Sequence, residues 1–256
     1  MSTPIRVMVN GAKGKMGHAS VMAIGDDPEL VCVSQCDKGD NMTQIIHDTS
    51  PQVVLDFTHP SVVFDHAMTM ASMGIHSVIG TTGLTNDQLS KLDDMATTKN
   101  VAVLVCPNFA IGAVLMMQFA AQAARYLPQV EIIEYHHPKK ADAPSGTAIK
   151  TVDTIHDQYP QINASLGTMK DTEYIPGAKG GYYKGVPIHS VRMDGYIASQ
   201  DVLLGGHGER LSIRHDSVHR DSFMPGVCLA LKQSIHMTGL VYGLEAVLQN
   251  EREKLT

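Results

Sequence analysis

Tryptophan is absent from the 256 residues, and aromatic residues make up only 5% of them. Little is left with which to line a base-stacking groove, which counts against an aromatic-lined nucleic-acid surface. A positive charge excess is missing too. Lys and Arg number 20 against 26 Asp and Glu, a net charge of −6. Neither a duplex nor a membrane surface meets a general counter-charge here, although basic residues can still focus charge locally. The four cysteines contain no C-x-x-C pair. A disulfide framework or structural zinc is therefore not expected, and each thiol reads as a core residue. No apolar run reaches the roughly 18 residues of a membrane span. The opening MSTPIRVMVNG leads into a buried strand rather than a signal peptide, and a cytoplasmic protein is the expectation.

What is present is 43% hydrophobic residues, enough for a compact core in one or two domains. Over the first hundred residues strand and helix signals alternate. Apolar runs at 5–9, 30–34, 53–57, 76–79 and 101–106 read as strands. Helices are expected through about residue 25, over 60–73 and over 86–97, with Asp27-Pro28, Pro51 and Pro107 as punctuation. This is the pattern of a parallel, doubly wound sheet.

After Asn108 the pattern changes. A long Ala/Met-rich helix is expected over 111–126, a strand over 129–135 and a helix over 147–158. A looser region follows, including GAKGGYYKG at 177–185. Strand-like runs come next at 188–193, 200–205 and 209–216. Their turn-sized gaps suggest an open antiparallel or mixed sheet. The last forty residues read as a return to helix, over 223–238 and again around 241–247. The expected fold is α/β, a Rossmann-like dinucleotide-binding domain at 1–109 completed by 217–256. An α+β domain with an open mixed sheet is expected over 110–216, as the candidate substrate-binding and oligomerisation domain.

IRVMVNGAKGKMG sets Gly11, Gly14 and Gly17 directly after the first strand. Gly11 permits a tight turn, Gly14 lets a pyrophosphate approach backbone amides, and Gly17 lets the helix pack close to the sheet. A dinucleotide loop is the expectation; the alternative is a glycine-rich structural turn. The second strand ends in VSQCDKG, where an acid would bind the adenosine ribose. Asp37 is a candidate that falls a residue or two late, Gln35 and Cys36 are uncharged, and Lys15 and Lys38 are either attractors of a 2′-phosphate or simply solvated lysines. GTTG at 80–83 and CPNF at 106–109 follow the fourth and fifth strands, at the sheet edge where open α/β sheets bind ligands.

EYHHPKKADAPSGTA, 134–148, carries the densest chemistry. Pro138 makes a helix interior a poor fit for 136–140, so a strand end and loop are expected. Gly146 and Thr147 open the next helix, whose amides can bind a carboxylate, while His136, His137 and Lys140 add a cationic field for a second one. A basic surface loop is the bland alternative. His215 and His219, four apart, read as structural or interface groups rather than metal ligands. Arg214 and Arg220 are expected to pair with Asp216 and Asp221 or with carbonyls.

These blocks, with DFTHP, CPNFAIG, HSVRMDG, GERLSIRHDSVHR and SFMPG, resemble in order those of the 4-hydroxy-tetrahydrodipicolinate (dihydrodipicolinate) reductase family. The resemblance runs over nearly the whole chain. It implies a homotetramer that reduces a cyclic, imine-like dicarboxylate with NADH or NADPH in lysine and diaminopimelate biosynthesis. It further implies a catalytic pair, His136 and Lys140, with His137 at the substrate and Gly146 and Thr147 at a substrate carboxylate. Matching cofactor positions are Gly11, Ala12, Lys13, Gly14, Lys15 and Met16; Gly80, Thr81 and Thr82; and Cys106, Pro107, Asn108 and Phe109. No metal, nucleic-acid or membrane partner is implied. Gln35 and Cys36 stand where many members carry an acid followed by arginine, which weakens both cofactor clamps and implies dual use. Two rivals remain. A different nucleotide-dependent dehydrogenase would leave the double-histidine loop unexplained. A cofactor-sensing binding protein would need a recognition element, and the chain has no basic recognition helix.

Overall fold

The computed structural model describes residues 3–164 and 172–253. Part of the looser region expected after residue 158, namely 165–171, lies outside the described residues. Two compact units emerge, Met1–Ile111 with Phe223–Thr256, and Gly112–Ser222. In chain order the elements begin with β1 (Ile5–Asn10), α1 (Lys15–Asp26), β2 (Leu30–Cys36), α2 (Met42–Thr49), β3 (Val53–Asp56), α3 (Val63–Ser72), β4 (His76–Ile79), α4 (Asn86–Lys99) and β5 (Ala102–Val105). There follow α5 (Ile111–Ala124), β6 (Gln129–His136), α6 (Gly146–Gln158), β7 (Gly181–Tyr183), β8 (Val186–Arg192), β9 (Ala198–Gly206) and β10 (Glu209–Ser217). The chain closes with α7 (Met224–Ser234), β11 (Gly239–Tyr242) and α8 (Leu244–Glu253).

The first unit is built on a sheet of order β11-β5-β4-β3-β1-β2. Every pairing in it is parallel. β3 and β5 are buried along their whole length, which is why they read as apolar runs, broken only by Asp56 at the end of β3: helices cover both faces of a parallel sheet. Met8, Val54, Ile79 and Val103 join Ala67, Met70 and Leu92 from α3 and α4 in one core cluster. Local signals set the helix starts. Thr85 and Gln88 form a reciprocal capping box at α4, and Asn41 caps α2 through Gln44 N–H at 3.1 Å. Strand order reverses between β1 and β3, so their carboxyl ends, Asn10 and Asp56, flank the crevice where such sheets bind ligands.

The end of the chain departs from the sequence reading. Helix α7 stops at Ser234, and Gly239–Tyr242 is a strand, parallel to β5 with Leu240 opposite Val103. Gly239 and Gly243 bracket it with φ of +80° and +92°. A helix cannot continue through left-handed backbone, and the Leu-Val-Tyr between the glycines suits a sheet edge. Two short elements were also not expected, α2 and β7.

The second unit has a mixed sheet of order β10-β9-β6-β8-β7. Its central strand β6 pairs antiparallel with β9 and parallel with β8. Alternation along β6 buries Val130, Ile132 and Glu134 on one face. One of those three is a carboxylate, and it anchors the site.

Candidate active site

β6 ends at His136, and the period of two puts His136 on the same face as Glu134. Glu134 is fully buried and meets four donor atoms. His136 Nδ1 lies 2.5 Å from its Oε2. Arg192, at the end of β8 and opposite His136 in register, forks onto both oxygens at 2.9 and 2.7 Å. Ser145 N–H reaches Oε1 at 3.3 Å. Burial pushes the Glu134 carboxyl up, but hydrogen bonds from His136, Arg192 and Ser190, with the Arg192 charge, outweigh it and hold it at about 2.

The loop leaving β6 is tied down at several points. Lys140 N–H donates to His137 C=O at 3.1 Å, and Arg192 Nη2 donates to Asp142 C=O at 2.8 Å. Lys140 Nζ pairs with Asp142 at 2.8 Å, and that hydrogen bond holds the Asp142 carboxyl below its ordinary range. Ser145 then caps α6 by accepting Ala148 N–H at 3.2 Å. Gly146, the first residue of α6, is exposed, and a Cβ built there would meet nothing within 4 Å. The start of α6 therefore opens onto free space at Gly146. Thus the second unit gathers His136, His137, Lys140, Gly146 and Thr147 on one strand end, one loop and one helix start.

In the first unit the glycine loop is as tight as its spacing suggests. Gly11 has φ +81°, and a Cβ on it would lie 2.4 Å from Phe57 C=O; one on Gly17 would lie 2.1 Å from Gly11 C=O. Four loop amides are already committed: Gly11 and Ala12 N–H to Cys36 C=O at 2.8 and 3.2 Å, Lys13 N–H to Asp37 Oδ2 at 2.7 Å, and Gly14 N–H to Gly11 C=O at 3.0 Å. Gly14 stands at the N-cap of α1 and brings no capping side chain, so the amides of Lys15 and Met16 open the helix uncapped by it. A cavity of about 690 Å³ adjoins this loop, lined among others by Gly11, Gly14, Cys36, Asp37, Phe57 and His66. Gln35 is exposed and not among its lining residues, whereas Asp37 is. The Asp37 carboxyl is lowered by the Lys13 and Lys38 amides.

GTTG and CPNF meet through aromatic packing. Phe57 and Phe109 contact edge-on with ring centroids 5.6 Å apart, and a Cβ on Gly80 would strike both rings. Thr82 and Pro107 are exposed, Asn108 is half-buried, and burial pushes the Cys106 thiol well up. Thr81 is buried and donates to Asp56 at 3.1 Å.

Sequence reasoning missed three groups. Asp56 is a fully buried carboxylate that also accepts from Asn10 at 2.9 Å and from the Thr58 hydroxyl and amide at 2.7 and 3.1 Å, with His66 Nδ1 at 3.3 Å. An acid closing the apolar run VVLD was the available signal. Glu134 and Arg192 were quoted only as parts of longer blocks. Outside both sites, Arg214 pairs with Asp216 and Asp201, His219 pairs with Asp221, and the His215 ring crowds Gly112. Asp221, expected beside Arg220, thus meets His219.

The model of the dihydrodipicolinate reductase N-terminus matches residues 5–109, and that of its C-terminus matches 112–248. A 4-hydroxy-tetrahydrodipicolinate reductase of Mycobacterium sp. (strain KMS) is 46% identical over 249 residues, covering 95% of this chain and 99% of that protein. One from Streptococcus gordonii is 44% identical over 255 residues, with the same coverage. The dipicolinate-bound dihydrodipicolinate reductase from Paenisporosarcina sp. TG-14 superposes with a TM-score of 0.88 at 40% identity, covering 95% of this chain and 99% of that one. An amine dehydrogenase from Mycobacterium smegmatis, 10% identical with a TM-score of 0.62, shares the fold.

Proposed function

We propose how the residues divide the reaction from the premise that this chain belongs to the dihydrodipicolinate reductase family. It is an NAD(P)H-dependent enzyme that reduces the cyclic intermediate formed from 4-hydroxy-tetrahydrodipicolinate to tetrahydrodipicolinate, in lysine and diaminopimelate biosynthesis. The observation that carries the residue assignment is the joining of His136, Lys140 and the open N-terminus of α6 within a single tied-down loop.

A substrate with two carboxylates suits that loop. The amides of Gly146 and Thr147 take one carboxylate at the α6 N-terminus without a formal positive charge. Lys140 and His137 supply the field for the other. His136 gives the proton to the reduced ring, because its imidazole can carry a transferable proton and is held by a carboxylate. Lys140 stabilises the charge that develops meanwhile. The relative with dipicolinate bound, a flat ring carrying two carboxylates, supports this reading.

The first unit fits a nicotinamide dinucleotide. Its glycines leave space where a side chain would collide with backbone, and its cavity adjoins an uncapped helix N-terminus. When bound, the reduced nicotinamide supplies the hydride. Lys15 and Met16 present amides to the pyrophosphate, and the Phe57–Phe109 contact keeps Gly80 and Thr81 in place. Both NADH and NADPH serve. The four cysteines are unpaired, which suits the cytoplasm.

The chain works as a homotetramer joined through the second unit. β10 is an edge strand of nine residues with most side chains exposed, and a long bare edge calls for cover. Light scattering at micromolar concentration should give four chains; an active monomer contradicts it. The reaction itself is tested by a coupled assay with freshly generated substrate. Oxidation of both reduced nucleotides is expected, and oxidation of neither overturns the reading.

A further inference from the structure

We infer that Glu134 is a positioning residue that fixes the tautomer of His136, with Arg192 as the counter-charge that keeps it an acceptor. The inference rests on the reading that His136 gives the proton, and deepens it.

The geometry makes the carboxylate an acceptor on every side. Glu134 receives two guanidinium N–H groups, the Ser145 amide and His136 Nδ1. The first three can only donate, and an ionised carboxylate can only accept. The Glu134 carboxyl sits far below the usual carboxylate range, so it brings no proton of its own to the His136 contact. The shared proton is therefore on Nδ1, and Nε2 is the ring nitrogen left to exchange a proton with substrate. Arg192 matters twice. Its fork cancels the buried negative charge that would otherwise draw the His136 proton inward. Its bond to Asp142 C=O ties the same carboxylate to the loop that carries Lys140. Ring and ammonium are thus referenced to one buried group.

Glu134→Gln tests this. An amide NH₂ in place of one oxygen would face donors on every side, and its least crowded outlet is to donate to His136 Nδ1. That reverses the tautomer and puts the fixed hydrogen on Nε2. A carboxylate orienting a proton-transfer imidazole contributes up to roughly 10⁴-fold in kcat. We expect a loss of about 10²-fold or more in Glu134→Gln, with KM and the NADPH dissociation constant held within about threefold. The double variant Glu134→Gln/His136→Ala should be no slower than His136→Ala, because Glu134 acts through that ring; a merely structural role would add its own loss.

If His136→Ala keeps kcat within about threefold of the parent, the proton-donor reading falls and this inference with it. If His136→Ala is slow while Glu134→Gln is not, or the losses multiply in the double variant, Glu134 does not position the ring. Should Glu134→Gln fail to fold, ¹⁵N spectra of the parent enzyme decide alone, with the His136 signals assigned by their loss in His136→Ala. A protonated Nδ1 in the neutral ring supports the inference, and a protonated Nε2 overturns it.

Discussion

Lys140 Nζ lies 2.8 Å from Asp142 Oδ1, and the ammonium is the more sheltered partner, 21% exposed against 60%. A pair of this kind is worth at most about 1 kcal/mol to the fold, so an incoming substrate carboxylate can displace it. Asp142→Asn should therefore leave stability within about 1 kcal/mol of the parent. It should also lower KM by up to about threefold, since a competitor for the ammonium is gone. Thermal unfolding and steady-state kinetics check both, and a tenfold rise in KM would mean that Asp142 itself contacts substrate.

Asp56 is the buried carboxylate hub of the first unit, as Glu134 is of the second. Its buried carboxylate gathers Asn10, Thr58, Thr81 and His66 from three strand ends and one helix. Asp56→Asn turns one acceptor oxygen into a donor facing donors, at a cost of about 1–3 kcal/mol. NADPH binding should weaken by about tenfold or more, equivalent to ~1.4 kcal/mol. Fluorescence titration measures it; an unchanged dissociation constant places the network outside the cofactor's reach.

Cofactor choice should be loose. Gln35 is exposed, Cys36 is a buried thiol and Asp37 already accepts the Lys13 and Lys38 amides. Neither Gln35 nor Cys36 offers a charged group to a ribose hydroxyl or a 2′-phosphate. The ratio of kcat/KM for NADPH and NADH should stay below about tenfold, or ~1.4 kcal/mol. A ratio above about a hundredfold in either direction contradicts this.

Glu134 should also mark the acid limb of stability. Its carboxyl is held at about 2 in the fold against an ordinary 4.5. A depressed folded value stabilises fully above about pH 4.5, and that contribution is lost as pH falls towards 2. Urea midpoints followed over this window should fall less steeply in Glu134→Gln than in the parent, although the variant is less stable near neutral pH because Arg192 loses its counter-charge. Equal slopes would show that other carboxylates set the acid limb.

Most of the fold was legible because periodicity reports burial. VVLDF and VAVLV announce buried parallel strands, and the helix expected over 86–97 is α4. β11 was not legible, since four residues after an apolar helix extend its pattern unless the left-handed glycines are given weight. The loop residues of the active site were read from resemblance and local chemistry. Glu134 and Arg192 escaped because they meet across strands 58 positions apart in sequence. Only the mixed topology of the second sheet sets β8 beside β6. Asp56 escaped for the opposite reason: an acid at the end of an apolar run was absorbed into the strand.

On the proposed reading, His136 and Lys140 carry the proton and charge steps while the nucleotide is held by the other unit. Its most direct test pairs kcat, from the coupled assay, with NADPH dissociation constants for His136→Ala and Lys140→Ala. Each substitution should lower kcat by about 10²- to 10⁴-fold and leave NADPH affinity within about threefold. If both variants keep kcat within about threefold of the parent, the loop is a basic surface turn and the account is wrong.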